Sequence, residues 1–196
     1  MREVELKSLV PDFGAVIRAL HTAGAVTLLD GLLTDTRYDT PGGTLLAQDR
    51  VLRLRSFDGS PAPSASLDWK GPTRKEGGYK VREEISTSVG DAAELARILD
   101  GLGYVVISEI KRHISQFGCR GAVVRVERYP RMDTLVEVEG EPVAIEAAIA
   151  ATGLPRDGFT AERLYDFVQR YEARTGERAA LNDRELAGDY QHATDA

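Results

Sequence analysis

The stretch Glu3-Val4-Glu5-Leu6-Lys7 decides how this chain is read. Alternate residues of a β-strand point to the same face. Glu3, Glu5 and Lys7 therefore share one face, and Val4 and Leu6 share the other. The pattern recurs downstream. Arg53 and Arg55 alternate with Leu52 and Leu54, and Asp68 and Lys70 flank Trp69. Lys80, Arg82 and Glu84 alternate with Val81 and Glu83, and Glu109 and Lys111 are spaced likewise. Arg125 and Glu127 alternate with Val124 and Val126, and Glu137 and Glu139 with Val136 and Val138. One such face would be the wet side of an ordinary antiparallel sheet. Seven of them, backed by apolar faces that helices can cover, predict a barrel with a charged lumen. Buried charge is costly unless it is paired or bound to ions, so such a lumen is either wet or occupied.

Helical signals lie between and after these strands. Asp12 precedes Phe13, Val16, Ile17 and Leu20, and Asp91 precedes Leu95, Ile98, Leu99 and Leu102. Each is an N-cap followed by an apolar stripe of period 3.6. Two further helices are expected, over roughly 142–151 and from Thr160 through Leu164, Phe167, Val168 and Tyr171. Residues 26–33 and 34–39 read as two strand segments, Leu45-Leu46 as strand-like, and residues 74–78 as a charged, flexible turn. Few helices among many antiparallel strands predict an α+β fold. No glycine-rich loop follows a strand, which disfavours a Rossmann or P-loop architecture. The expected organisation is one domain over 1–175 and a polar, fraying tail over 176–196.

Bulk properties narrow the chemistry. Net charge is −6, so nucleic acid is not an expected partner and any anion site must be built by local segregation of Lys and Arg. Cys119 stands alone, which excludes an intrachain disulfide and points to a small core or loop residue. No apolar run reaches membrane-spanning length and the start is not signal-like, so no membrane partner is expected and the cytoplasm is the default location. His21 and His192 read as surface groups, leaving His113 as the histidine with a possible site role. Trp69 points away from Asp68 and Lys70, as an outer-core residue would. Tyr38 sits between Arg37 and Asp39, which are placed to line a tunnel mouth.

The occupant best matched to a lumen of mixed Arg, Lys and Glu is a phosphate chain with a divalent cation. Arg offers bidentate donors to phosphate oxygens and Lys a point charge. Carboxylates repel phosphate, so their task would be to hold Mg²⁺ or Mn²⁺.

These residues resemble the CYTH superfamily, the triphosphate tunnel metalloenzymes. The Glu-x-Glu-x-Lys start is joined by Thr36-Arg37-Tyr38-Asp39, Leu52-Arg53-Leu54-Arg55, Trp69-Lys70-Gly71-Pro72, Lys80-Val81-Arg82-Glu83-Glu84 and Val136-Glu137-Val138-Glu139-Gly140, from Glu3 to about Tyr171. The resemblance implies a closed tunnel of about eight antiparallel strands with helices outside. It implies metal binding by Glu3, Glu5, Glu127, Glu137 and Glu139, and phosphate binding by Lys7, Arg53, Arg55, Lys70, Arg82 and Lys111. Glu5, Lys7 and Glu137 would be catalytic, and Glu84 and Arg125 supporting. The late basic strand reads Lys111-Arg112-His113, where the family has Lys-x-Arg. Either His113 stands for the Arg, or the register slips to Arg112. The implied activity is divalent-metal-dependent chemistry on a small triphosphate: conversion of ATP to cyclic AMP and pyrophosphate, as in class IV adenylyl cyclases, or else triphosphate hydrolysis. The best-known class IV cyclases carry a His-Phe pair before the first strand, and here only Met1-Arg2 precede it. A non-catalytic triphosphate-binding module is the third reading, and a homodimer is plausible for the family.

Overall fold

In the computed structural model, residues 2–190 are described, and among them nine strands form one antiparallel sheet. In chain order they are β1 (Arg2–Leu9), β2 (Val26–Asp39), β3 (Val51–Ser60), β4 (Ser64–Lys70), β5 (Arg74–Glu76), β6 (Tyr79–Ser88), β7 (Val105–Cys119), β8 (Ala122–Arg128) and β9 (Leu135–Glu139). Eight of them run β1-β9-β8-β7-β2-β3-β4-β6, and β6 pairs back onto β1, so the barrel closes. The ninth, β5, is a short hairpin partner of β6, formed where a flexible turn was expected. Its tight reversal uses Gly77 and Gly78, both at positive φ. The two segments read separately over 26–39 are one continuous strand, which pairs with β3 on one side and β7 on the other.

The helices are α1 (Phe13–Thr22), α2 (Thr44–Ala47), α3 (Ala92–Gly101), α4 (Pro142–Thr152), α5 (Leu164–Thr175) and α6 (Asp183–Leu186). The caps read from the sequence are formed: Asp12 accepts from the Ala15 N–H at 2.9 Å, and Asp91 from the Glu94 N–H at 3.0 Å. α2 replaces the strand-like reading of Leu45-Leu46, because Asp39 accepts the N–H groups of Leu45 and Leu46 and winds them into a turn. α5 begins at Leu164 rather than Thr160, whose backbone instead pairs with Lys7 of β1.

The barrel is inverted as the alternation required. Val4, Leu6, Val124, Val126, Val136 and Val138 face outward and are buried under Val16 and Leu20 of α1 and Ile145, Ala148 and Ile149 of α4. A second outer cluster joins Tyr38 and Leu54 to Leu99 of α3. Trp69 lies on the outer face, half-buried, with its ring 3.2 Å from where a Gly71 Cβ would stand. Inside, past Asp35, Arg55 and Arg112, the residues Leu33, Phe57 and Ile114 form a separate apolar cluster. Gly31 and Gly59 pair on β2 and β3 beside it, and a Cβ on either would meet backbone carbonyl oxygen at 2.4 Å. The two backbones can approach this closely only as glycines.

The segment after Gly176 is not a frayed tail as far as Tyr190. Ala180 bridges to Arg131, the Asn182 side chain donates to the Glu109 carbonyl at 2.7 Å, and Ala179, Ala180, Asn182 and Glu185 are buried. Leu181 and Asn182 carry the contact with β7, bonding the backbone of Lys111 and Glu109. His192 lies outside the described residues. No helix among those described is long and apolar enough to cross a membrane.

Candidate functional site

The inward residues of the eight barrel strands enclose a cavity of about 310 Å³, lined by eleven basic and eight acidic side chains. The local balance is cationic although the chain is acidic. Carboxylates dominate the wall made by β1, β8 and β9, and guanidinium groups the wall made by β2, β3, β6 and β7. Three lysines reach across the acidic side. The ammonium of Lys7 bonds to Glu137 and lies 2.9 Å from Glu5, Lys80 lies 2.5 Å from Glu5, and Lys70 lies 2.5 Å from Glu3. Arg125 completes the set at 2.7 Å from Glu137. Register explains this weave: Glu5 faces Glu139 and Lys7 faces Glu137 on β9, while Glu3 and Glu5 face Arg82 and Lys80 on β6. Cross-strand neighbours on one face sit about 5 Å apart.

The cationic wall is organised by Asp35. Its carboxylate takes Arg55 at 2.7 and 3.0 Å, Arg112 at 2.8 Å and Arg53 at 3.4 Å. Burial raises the proton affinity of Asp35, but these three guanidinium groups outweigh it and hold the carboxyl well below the usual range. Arg53 also bonds Asp68 at 2.6 Å, and Glu84 lies 3.4 Å from Lys70 and 3.6 Å from Arg53. Arg82 donates to the carbonyls of Gly71 and Asp49 at 2.6 and 2.8 Å and so ties two loops to the cavity rim.

The structure brings together Glu3, Glu5, Lys7, Arg53, Arg55, Lys70, Arg82, Glu84, Arg112, Arg125, Glu127, Glu137 and Glu139 around this one cavity. Lys111 is the exception and a correction. Its side chain points outward and pairs with Asp183 of α6, and its N–H donates to the Leu181 carbonyl at 2.7 Å. Arg112 takes the inward position, because β7 alternates with Ile110 and Ile114 inward. His113 is outside too, 3.6 Å from Asp30. Glu127 lies deep, accepting from Arg112 at 3.1 Å and from the Tyr129 hydroxyl at 2.7 Å. Asp35 and Tyr129 are lining residues that the sequence reading does not name, and Arg37 and Lys80, read there at the tunnel mouth and on a charged face but given no role, line the cavity as well. Asp39, read beside Arg37 at the mouth, is not among the lining residues and accepts the N–H groups of Leu45 and Leu46 in α2 instead. Asp35 and Arg37 obey the same two-residue alternation that reveals Arg53 and Arg55.

The acidic wall has an unmet demand for positive charge. Glu3 Oε2 is buried without a hydrogen-bond partner. Burial and the Glu5 charge raise the Glu3 carboxyl. Burial and Glu137 push Glu139 up to about 7. By contrast Lys7 and Arg125 hold Glu137 down at about 2 against burial and the Glu5 charge. Among the described residues no three carboxylate, imidazole or thiol groups converge as an ion site, the lysine ammoniums standing between them. The donors nevertheless fit a hard divalent cation: they are carboxylate oxygens, and one is orphaned in the interior.

The Glu139 shift has a measurable sign. Its folded-state value lies above the ordinary carboxylate value of 4.5, so the folded state holds the extra proton between these limits. Stability of the metal-free protein should therefore fall as pH rises from about 4.5 to 7. Glu139→Gln should flatten this part of the Tm-against-pH curve, and Mg²⁺ should raise Tm of the unsubstituted protein more at pH 8 than at pH 5. An identical curve for the variant would count against the assignment.

An inverted barrel of eight strands, with helices outside and a closed-in lumen of opposed charges, defines a β-tunnel protein. The CYTH domain model matches residues 1–141, and the chain belongs to the CYTH family. Among curated proteins none matches the chain. Solved structures share the fold at low identity. A protein from Vibrio parahaemolyticus, provisionally described as an adenylate cyclase, superposes with a TM-score of 0.72 at 21% identity, covering 85% of this chain and 97% of its own. PH1819 from Pyrococcus horikoshii gives 0.70 at 19% identity over 86% and 98%. HpAC1 from Hippeastrum, first taken for an adenylyl cyclase and described as having a dominant triphosphatase activity, gives 0.59 at 17% over 92% and 99%.

Proposed function

We propose that this CYTH chain hydrolyses a small triphosphate with the help of a divalent cation. The observation that carries the reading is the cavity: about 310 Å³, cationic in balance, with an acidic wall short of positive charge. That volume is at the small end of ligand pockets, suited to a phosphate chain more than to a whole nucleotide. In hydrolysis a water oxygen bonds to the terminal phosphorus, the bridging P–O bond breaks, and diphosphate leaves. The protein's part is positioning and charge stabilisation. Arg53, Arg55, Lys70, Arg82 and Arg112 bind phosphate oxygens, with Arg125 and Glu84 orienting their neighbours. Glu3, Glu5, Glu137 and Glu139 are the side chains that would hold Mg²⁺ or Mn²⁺, and Glu127 stands behind Arg112. The cation, when bound, neutralises charge that builds on the phosphate oxygens. Lys7, held charged by Glu137 and Glu5 against burial, is placed to exchange a carboxylate for a phosphate oxygen when substrate enters.

A cyclase is the second reading, supported by apolar lining from Leu46 and Leu164 that could take a nucleobase. There the ribose 3′-oxygen attacks the α-phosphorus and pyrophosphate leaves. Incubation with inorganic triphosphate, thiamine triphosphate or ATP and Mg²⁺ or Mn²⁺, followed by phosphorus NMR, separates the two. Orthophosphate is expected from at least one substrate. Cyclic AMP with pyrophosphate would favour the cyclase, and no product from any triphosphate would overturn both in favour of a binding module.

A further inference from the structure

We propose that Arg37 and Ser108, cross-strand partners on β2 and β7, form an additional anion subsite that takes one phosphoryl group of the substrate. The inference rests on the triphosphate reading above and extends its set of contacts. Arg37 lines the cavity and stands opposite Arg53 on β3 and Ser108 on β7. The nearest carboxylate on its own strand, Asp35, is already taken by Arg53, Arg55 and Arg112. Among the described residues nothing pairs with Arg37, and its buried Nε has no hydrogen-bond partner. The Ser108 hydroxyl is also buried and also unpartnered. Directly opposed residues of paired strands share a face, with Cβ atoms about 5 Å apart. Two of the four unmatched buried side-chain polar atoms among the described residues therefore fall on one cross-strand pair.

The backbone supports the same reading. The β2–β7 register shifts between Arg37 and Tyr38, leaving Ile107 as the extra residue, and Ile107 also lines the cavity. A bulge beside a site re-aims side chains. Unmatched buried donors cost free energy, and a guanidinium near Arg53, Arg82 and Arg112 adds repulsion; burial, then Arg53, push Arg37 down to about 10. Water could satisfy the two donors but not the charge. A phosphoryl oxygen satisfies both: it accepts from the Nε–H and from the Ser108 hydroxyl and carries the countercharge.

The test is calorimetric titration of inorganic triphosphate in EDTA into the unsubstituted protein, Arg37→Met and Ser108→Ala, with Tm of each ligand-free protein. Arg37→Met should weaken binding at least about tenfold, and Ser108→Ala by about threefold. Ligand-free Arg37→Met should melt higher than the unsubstituted protein, because an unpaired buried charge is gone. A merely structural Arg37 would give the opposite sign, so a drop in Tm overturns the subsite. Binding by Arg37→Met within twofold of the unsubstituted protein also overturns it and leaves the triphosphate reading intact. No binding by the unsubstituted protein, in EDTA and again with Mg²⁺ in its place, overturns that reading and the subsite with it.

Discussion

Glu5→Gln is expected to lower metal-dependent triphosphate turnover by about 10²- to 10³-fold, with the fold retained. Glu5 is 3% exposed, faces Glu139 across β1 and β9, and touches both Lys7 and Lys80. It thus sits where the acidic wall meets two ammonium groups that line the cavity. Opposing burial, the charges of Lys7, Lys80 and Lys70 keep its carboxyl well below the ordinary range, so it is ionised at any working pH. Replacing it by an amide removes a full charge from a low-dielectric site, and about 3–4 kcal/mol of lost transition-state stabilisation corresponds to that rate factor. Glutamine keeps the length and one oxygen for the lysine ammoniums, and Lys7 keeps Glu137. Steady-state kinetics over a Mg²⁺ series, with circular dichroism as the fold control, check the outcome. The half-saturating Mg²⁺ concentration should also rise. Turnover within twofold of the unsubstituted protein, at unchanged Mg²⁺ dependence, would remove Glu5 from the metal-binding proposal.

The largest stability effect is expected at Asp35, a residue with no assigned contact to substrate. Asp35→Ala leaves Arg53, Arg55 and Arg112 without their shared carboxylate inside the barrel. Breaking a buried ion pair from one side costs about 3–5 kcal/mol; here Arg55 loses its carboxylate, and Arg53 and Arg112 each lose one and keep another. Urea unfolding should show a loss of that size, about 10 °C in Tm for a domain of this length. Arg112 retains Glu127 and Arg53 retains Asp68, so the barrel should still form. The double variant Asp35→Ala/Arg55→Ala should recover part of the loss, because Arg55 has no other carboxylate at bonding distance among the described residues. The acid limb follows with a definite sign. The Asp35 carboxyl is depressed below its ordinary 3.8, so its contribution is complete above that value and fades as pH falls toward the folded-state value. Asp35→Asn should therefore lose less stability on acidification than the unsubstituted protein. A loss under 1 kcal/mol for Asp35→Ala would show that the guanidinium groups find water instead.

Much of this architecture was legible because strand periodicity is a local property. Each inward residue announces itself by its neighbours two positions away, so Glu3, Glu5, Lys7, Arg53, Arg55, Lys70, Arg82, Glu137 and Glu139 could be read in ordinary text. The caps at Asp12 and Asp91 were legible for the same reason, since an N-cap acts within three residues of itself. Local reading failed where alternation allows two phases. Lys111-Arg112-His113 offers a base on either face, and only pairing with β2 and the docking of the C-terminal segment settle that Arg112 goes in and Lys111 goes to Asp183. The packing of residues 177–190 is not legible in the sequence, because their polarity is visible there and their partner surface on β7 is not.

By itself the sequence determined the class of object: a charged face on strand after strand, with apolar backs and two capped helices, leaves an inverted barrel as the economical solution. Only the tertiary structure decided the accounts of charge. Which carboxylate each Arg and Lys meets depends on register around a closed ring, a sum over eight strand pairings that no single strand encodes. That closure makes Asp35 the hub of one wall, stops the cavity against Leu33, Phe57 and Ile114, and leaves Glu3, Arg37 and Ser108 with unmatched polar atoms. Unsatisfied groups are differences between supply and demand across the whole lumen, so they exist only once the barrel is closed.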